Sequence, residues 1–510
     1  MIVKNVRLGV RYYITILTAI LGGSAQFYSY GIVNPCQELI TQWINLTYME
    51  RSGTFVSETN LNLIWALVVG SVSLGALAGA LLVRVLSERC GRRNALIING
   101  IFNIIGAFCE LIARSASSPE LLIIGRFILG ANMGLTSGVV PMYLMELTPA
   151  KYRGAAGTLH MVAVSFSDWF SLLIGLPEVL GGSNWWPIAF ALPGIPALAL
   201  CFILPFCPES PKYLLMTRGN REAAYDSIVA LVGEKQAKPV FNELIRESAR
   251  DKSRSGSFWE LFTSKKLRLP LLVSLLVMVA QQFTGCTAVF AYSTDMFINA
   301  KLDPQTARYA TLAIGVVYFL FACSAPLLID RVGRRPLSLF QLIACLIALS
   351  LLTLFTGIQQ YGQATWASYG TIGALVLYMC VYGVGSPIPW MITGELFNQH
   401  FRSTAVTVSV FVAYLMATII SSAYLPFQQM VGVTFSYMPF IVVSSISIVV
   451  LYFILPETKN RDVNDIVNEA RARNHSLSVG MPWNAVSQEG RTEMKKLLDD
   501  ISEGYSSISN

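Results

Sequence analysis

Twelve runs of about twenty apolar residues dominate this chain, and each is long enough to cross the hydrocarbon core of a bilayer as a helix. They fall near residues 11–33, 61–83, 94–113, 121–144, 156–178, 187–206, 268–292, 308–329, 337–357, 368–392, 403–424 and 436–455. In lipid the backbone must satisfy its own hydrogen bonds, so such a run has one regular solution, the α-helix. The predicted fold is an all-α membrane protein of twelve transmembrane helices. Composition agrees: 13% of the 510 residues are charged, against about 25% in a soluble domain. The first run is long and lacks a small-residue cleavage site, so it reads as a true span rather than a leader.

The runs fall as six, a polar stretch, then six, and the two sets carry the same charged punctuation. Glu88-Arg89-Cys90-Gly91-Arg92-Arg93 recurs as Asp330-Arg331-Val332-Gly333-Arg334-Arg335. Glu146 stands seven residues before Arg153, and Glu395 seven before Arg402. Pro208-Glu209-Ser210-Pro211 follows span 6, and Pro456-Glu457-Thr458 follows span 12. Matches in the same order predict two fused copies of one unit, an architecture typical of secondary transporters. The predicted organisation is an N-terminal six-helix bundle at 1–206, cytosolic linker helices within 207–267, a C-terminal six-helix bundle at 268–455 and a largely disordered cytosolic tail at 456–510. Within the linker, 219–234 and 240–252 read as short amphipathic helices with Arg221, Glu222, Asp226, Glu243, Arg246, Glu247 and Arg250 exposed. They serve either as a solvated connector or as a latch against the cytosolic face.

Lys and Arg set the orientation. One set of short loops holds Arg84, Arg89, Arg92, Arg93, Lys151, Arg153, Arg331, Arg334, Arg335 and Arg402, whereas the other holds Arg51, Arg114, Lys301 and Arg308. The positive-inside rule puts both termini and the linker in the cytosol of a multi-pass cell-membrane protein. It also accounts for the net charge of +7, with no nucleic-acid partner needed. Asn45-Leu46-Thr47 is a glycosylation acceptor in the first outside loop, which also holds Cys36. A second acceptor, Asn474-His475-Ser476, falls in the cytosolic tail and should stay bare.

The nine cysteines are scattered without a CxxC, so they read as small apolar packing residues and no metal is expected. The three histidines, His160, His400 and His475, form no constellation with a nucleophile. No enzyme and no cofactor are expected.

Charges at the membrane edge are costly unless paired. Each half supplies acids as well as arginines: Glu88, Arg89, Arg92, Arg93, Glu146, Arg153 and Glu209 in one, and Asp330, Arg331, Arg334, Arg335, Glu395, Arg402 and Glu457 in the other. Topology anchoring requires only the positive residues. The acids point to a cytosolic gate whose pairs form when that side closes and part when it opens, biasing a two-state equilibrium by a few kcal/mol.

Further motifs run in order through all twelve spans. They include Gly125-Arg126-Phe127, Pro141-Met142-Tyr143, Arg153-Gly154-Ala155 with Gly157-Thr158-Leu159-His160, Pro208 to Leu215, Gln281-Gln282, Pro387-Ile388-Pro389-Trp390 and Pro456-Glu457-Thr458-Lys459. Over about residues 10–470 the chain resembles the sugar-porter family of the major facilitator superfamily, most nearly the animal facilitative glucose and fructose transporters. The resemblance implies alternating access, two six-helix halves rocking about one central site. It places Gln281, Gln282 and Trp390 at that site. Amides suit the vicinal hydroxyls of a neutral polyol, since they both donate and accept. Thr287 stands where the family has Asn, Met161 where it has Gln, Tyr318 where it has a span-8 Asn, and Tyr414 where span 11 carries Trp. The span-11 asparagines become Ala413 and Ala417, and the span-10 acid becomes Gly383. Each lost hydroxyl partner is worth about 0.5–1.5 kcal/mol, so the pocket is rewritten around Thr287, Tyr318 and Tyr414.

Asp168 lies inside span 5, seven residues from Met161 on nearly the same helix face, about 10.5 Å along the axis. A carboxylate at that depth marks a coupling-ion site or a substrate contact, or else it bonds to Ser165 or Ser167 or faces water near the outer mouth. Proton-coupled relatives typically carry an acid in the stretch where this chain reads Gln26-Phe27-Tyr28-Ser29-Tyr30, which favours uniport. The expected partners are the lipid bilayer and a small neutral solute, a sugar, moved by facilitated transport; oligomeric state is not indicated. The alternatives are a cation- or proton-coupled transporter using Asp168, and a nutrient sensor that no longer transports.

Overall fold

A computed structural model of the protein describes residues 8–149, 152–250, 258–362, 365–397 and 399–459. Predicted features at 460–510, including the second acceptor and most of the tail, lie outside the described residues, as do the side chains of Arg153 and Asp330. Among the described residues the structure is helical and contains no strand.

Twelve spans are present when the bent first pair counts as one. Span 1 runs through Val10–Ser24, a tight turn at Ala25–Phe27, Tyr28–Gly31 and Val33–Ser52, bent by 56°. Spans 2 to 6 are Glu58–Arg89, Arg92–Ile112, Pro119–Leu147, Arg153–Ile174, and Trp186–Ala191 with Gly194–Ile203. Spans 7 to 12 are Lys265–Phe283 with Cys286–Asn299, Pro304–Ala322 with Ala325–Val332, Arg334–Gly362, Thr365–Gly385 with Ile388–Glu395, Gln399–Val431 and Met438–Ile454. The linker helices are Arg221–Val232, Glu234–Arg250 and Phe258–Thr263.

The structure differs from the sequence reading around Asn45 and in the breaks within spans 6, 7 and 8. The expected outside loop around Asn45 is a helix that continues span 1 to Ser52. There Asn45 Oδ1 accepts the Val56 N–H at 2.9 Å and Thr47 is buried. Helical folding follows from the apolar face Cys36, Ile40, Ile44 and Thr47, spaced at three to four residues and buried against the bundle. Span 7 is two helices rather than one: Gly285, at φ +86°, turns the chain between Phe283 and Cys286.

Close helix crossing builds the N-terminal half. Spans 2 and 4 approach through Gly75, Gly79, Gly130 and Gly134; a methyl on Gly134 would stand 2.0 Å from the Ala76 carbonyl oxygen. Small residues allow this backbone approach where lipid supplies no hydrophobic drive between helices. Linker helix Arg221–Val232 docks on the same half: Leu231 accepts the Gly9 N–H at 2.7 Å, and Ser227 Oγ donates to the Glu209 carbonyl at 2.6 Å. Arg221, Glu222, Asp226, Glu243 and Arg246 face outward, as their spacing predicts.

Candidate substrate site and charged end

The two charged loops fold alike. Gly91 (φ +95°) and Gly333 (φ +104°) start spans 3 and 9 in a backbone region that favours glycine. A methyl at either would collide with an acid, Glu209 Oε2 at 2.4 Å or Glu457 Oε2 at 2.7 Å. Those acids take the first N–H groups of the next helix. Glu209 Oε1 accepts from Arg92 and Arg93 N at 3.1 Å each, and Glu457 accepts from Arg334 N at 2.9 Å and Arg335 N at 3.1 Å. An anion at a helix N-terminus is favoured by the unpaired N–H groups and the helix dipole. Burial pushes the Glu209 carboxyl above its ordinary range, and these backbone donors pull it back.

The side chains pair one layer deeper. Arg92 Nη2 donates to Glu146 Oε1 at 3.0 Å, and Ser210 Oγ donates to Glu146 Oε2. In the second half Arg334 Nη2 donates to Glu395 Oε1 at 3.1 Å and Thr458 Oγ1 to Glu395 Oε2 at 2.5 Å. These contacts join helices of one half rather than the two halves. Glu88 reaches across: Ser403 Oγ donates to its Oε1 at 2.5 Å. Arg89, Arg93, Arg331, Arg335 and Arg402 sit on the same rim; Arg93 Nη1 donates to the Cys207 carbonyl at 3.0 Å and Arg335 Nη2 to the Tyr452 carbonyl at 2.7 Å.

At the opposite end the halves are tied by Asn34, whose Nδ2 donates to the Phe290 carbonyl at 3.0 Å and Ser293 Oγ at 2.9 Å. Arg308 pairs with Glu38 at 2.9 Å beside it.

Between the two ends lie the predicted site residues. Gln281 and Gln282 are both buried but differ in use. Gln281 Oε1 accepts from Gln341 Nε2 at 3.0 Å, and its own amide nitrogen is buried without a partner among the described residues. Gln282 Oε1 accepts from Thr287 Oγ1 at 3.0 Å, and no described group accepts from its amide nitrogen. Trp390 and Tyr414 lie 6.1 Å apart, and the Tyr414 hydroxyl bonds Ser137 of the other half at 2.6 Å. A small cavity opens below them, lined by Ser137, Pro141, Met145, Met278, Trp390 and Thr393 among others. Met161 packs into the same cluster as Trp390 and Tyr414. Tyr318 lies apart from them in an aromatic group with Phe290 (5.2 Å) and Tyr382 (5.7 Å).

Asp168 is 6% exposed, and neither Ser165 nor Ser167 satisfies it: Ser165 Oγ donates to the Val162 carbonyl, and no described side chain donates to the Asp168 carboxylate. It lies within electrostatic reach of the Tyr30, Tyr318 and Tyr414 hydroxyls, contributed by spans 1, 8 and 11. That places it toward the centre rather than at an outer mouth. In span 1 Gln26 is fully buried, donating to the Gly23 carbonyl at 2.7 Å and to Thr136 Oγ1, and accepting from Asn103 at 3.3 Å.

Sequence reasoning missed two residues. Glu110, inside span 3, is buried with an unpartnered Oε1; it was visible by the rule that picked Asp168, an acid within an apolar run. Ser137 carried no such signal, because a serine in a span is common and its role comes from facing Tyr414 of the other half.

The family model described as "Sugar (and other) transporter" matches residues 15–469. The chain is 32% identical over 463 residues to "Solute carrier family 2, facilitated glucose transporter member 1" of Gallus gallus, covering 90% of this chain and 94% of the relative. It is 31% identical to member 5 of Rattus norvegicus, covering 90% and 91%. Among solved structures it is similar to the proton:xylose symporter XylE bound to 6-bromo-6-deoxy-D-glucose, with TM-score 0.75, 21% identity, and 90% and 98% covered.

Proposed function

Because the chain belongs to the sugar (and other) transporter family of membrane carriers, we propose that it carries a hexose or related small neutral polyhydroxylated solute by alternating access, as an uncoupled facilitator. The observation that carries this reading is the Gln282 amide, oriented through its oxygen by Thr287 while its nitrogen has no protein acceptor. A preorganised amide donor suits a sugar ring with vicinal hydroxyls. Relatives named as facilitated glucose transporters support the solute class. The neutral Gln26 network in span 1 supports uniport, since nothing in it changes charge. The charged rim, with Arg89, Arg93, Arg331, Arg335, Arg402 and the paired acids, is the cytosolic gate of this reading. Both termini then lie in the cytosol of a plasma-membrane protein.

The unpartnered Asp168 favours a second reading, cation-coupled transport. Uptake of labelled glucose, fructose and polyols into proteoliposomes at two external pH values separates the two. Uniport requires flux that is indifferent to pH. Flux that needs an inward proton gradient, and loses that need in Asp168→Asn, supports coupling. Binding without flux for every solute would overturn transport itself.

A further inference from the structure

Asp168 poses a charge problem that the neutral-solute reading leaves unsolved. A carboxylate at this depth in a span is expensive unless something positive meets it. Among the described residues no lysine or arginine offsets it and no side chain donates a hydrogen bond to it. Of the nearby tyrosines, Tyr30 OH shares a hydrogen bond with Ser73 Oγ at 2.7 Å and Tyr414 OH with Ser137 Oγ at 2.6 Å. His160, on the same helix, uses Nδ1 on Ser24 at 2.9 Å.

Either the carboxyl holds a proton or the positive charge that offsets it comes from outside the protein. A metal ion fits poorly: a hard cation needs several oxygen ligands, and among the described residues no group of three or more His, Cys, Asp and Glu gathers anywhere. Three tyrosine hydroxyls, those of Tyr30, Tyr318 and Tyr414, lie within electrostatic reach of the carboxylate, and Trp390 packs on Tyr414. A carboxylate with aromatic side chains in reach can recognise an ammonium group, by ion pairing and by the cation–π attraction of any ring face that meets it.

We propose that the central site prefers an aminated solute, a sugar or small polyol bearing a protonated primary amine, with Asp168 as the residue that reads the amine. This rests on the substrate site of the proposed function and names its chemical class more narrowly. Gln282 and Trp390 take the hydroxylated ring, and Asp168 takes the nitrogen.

The test is competition binding to the purified full chain, read by tryptophan fluorescence, alongside uptake into proteoliposomes. Glucosamine is compared with glucose and with N-acetylglucosamine, whose nitrogen is uncharged. The expected result is glucosamine binding at least tenfold tighter than both. In Asp168→Asn the three should converge. Equal affinities in the unaltered chain, or a preference that survives Asp168→Asn, overturn the proposal while leaving sugar transport standing. Neutral-sugar uptake that collapses with a protonophore, and loses that sensitivity in Asp168→Asn, would make the partner a proton and also overturn it. If Asp168→Asn does not fold, Asp168→Glu is the second variant: it keeps the charge and must keep the preference. Loss of binding for every solute in the unaltered chain would instead count against the transport reading.

Discussion

Arg92 and Glu146 form an enclosed ion pair at the charged end, 3.0 Å apart with side chains 5% and 2% exposed. Its counterpart in the second half, Arg334 with Glu395, has nearly the same length, 3.1 Å, but Glu395 is 22% exposed. The repeat has kept the bond and changed its solvation. Removing one member of a buried pair strands a charge, at about 3–5 kcal/mol, whereas pairs open to water are worth about 0–1 kcal/mol. Glu146→Gln should therefore cost more thermal stability in detergent than Glu395→Gln. An equal or reversed order in a thermal-shift measurement would refute the difference.

The gate predicted from sequence takes a particular form. The pairs Arg92–Glu146 and Arg334–Glu395 each lie within one half, so in the proposed rocking motion they would stiffen each half, while Glu88 to Ser403, at 2.5 Å, ties one half to the other. A hydrogen bond to a charged group is worth about 1.5–3 kcal/mol, enough to move a two-state equilibrium by about tenfold or more. Ser403→Ala should raise the reactivity of a cysteine introduced at Val410, which lines the cavity, toward a reagent added on the charged side. Labelling unchanged from the Ser403 parent would mean that this contact does not hold the cavity shut.

The paired glutamines should separate by phenotype. Gln281 is tied to Gln341 at 3.0 Å, so Gln281→Leu strands a buried amide and should lower stability by about 1–3 kcal/mol as well as uptake. Gln282 is held only by Thr287 and Cys286 through its oxygen. Gln282→Leu should lower kcat/KM for uptake by tenfold or more at unchanged surface expression and near-native thermal stability. Normal uptake in Gln282→Leu would remove it from the site.

How far the sequence could be read follows from the physics of each feature. The twelve spans were legible because lipid leaves a twenty-residue apolar run one fold, and the charged turns because Gly91 and Gly333 sit in a repeated pattern. The Val33–Ser52 extension was not, since its apolar face covers only part of the helix and reads as a polar loop in a window sum. The acids were legible as a set, and pairing between helices was expected, but which arginine meets which acid was not: Arg92 of the neighbouring helix donates to Glu146. Asp168 stood out by depth alone. Its lack of a donor and its place among three tyrosines needed the packing of spans 1, 8 and 11 around it.

Helix crossing gives a prediction free of any assumption about substrate. A methyl on Gly134 would lie 2.0 Å from the Ala76 carbonyl oxygen, a backbone atom that cannot swing away, whereas one on Gly373 meets nothing within 4 Å. Overpacking of this kind costs typically about 1–3 kcal/mol, occasionally more, and alanine itself favours a helix over glycine by about 1 kcal/mol. Gly134→Ala should cut the yield of monodisperse protein in fluorescence-detected size exclusion, and Gly373→Ala should leave it level or higher. Equal yields would show that spans 2 and 4 do not approach this closely.

At the end opposite the charged rim, Asn34 and Arg308 both bridge the halves, and their environments set them apart. Asn34 is buried and makes two donor bonds, to Phe290 O at 3.0 Å and Ser293 Oγ at 2.9 Å. Arg308 meets Glu38 at 2.9 Å, but Glu38 is largely open to water. Two buried bonds are worth about 1–3 kcal/mol together, and an exposed pair about 0–1 kcal/mol, less still at high salt. Asn34→Ala should shift the carrier toward the state open at this end by about tenfold. Arg308→Ala should shift it by no more than about fivefold, and that smaller effect should fade as salt is raised. Solvent accessibility of a cysteine placed at the buried Met296, one turn along span 7 from Ser293, read in the Asn34→Ala, Arg308→Ala and parent backgrounds, measures both shifts. A larger effect from Arg308→Ala would mean that the surface pair, rather than the buried amide, holds this end closed.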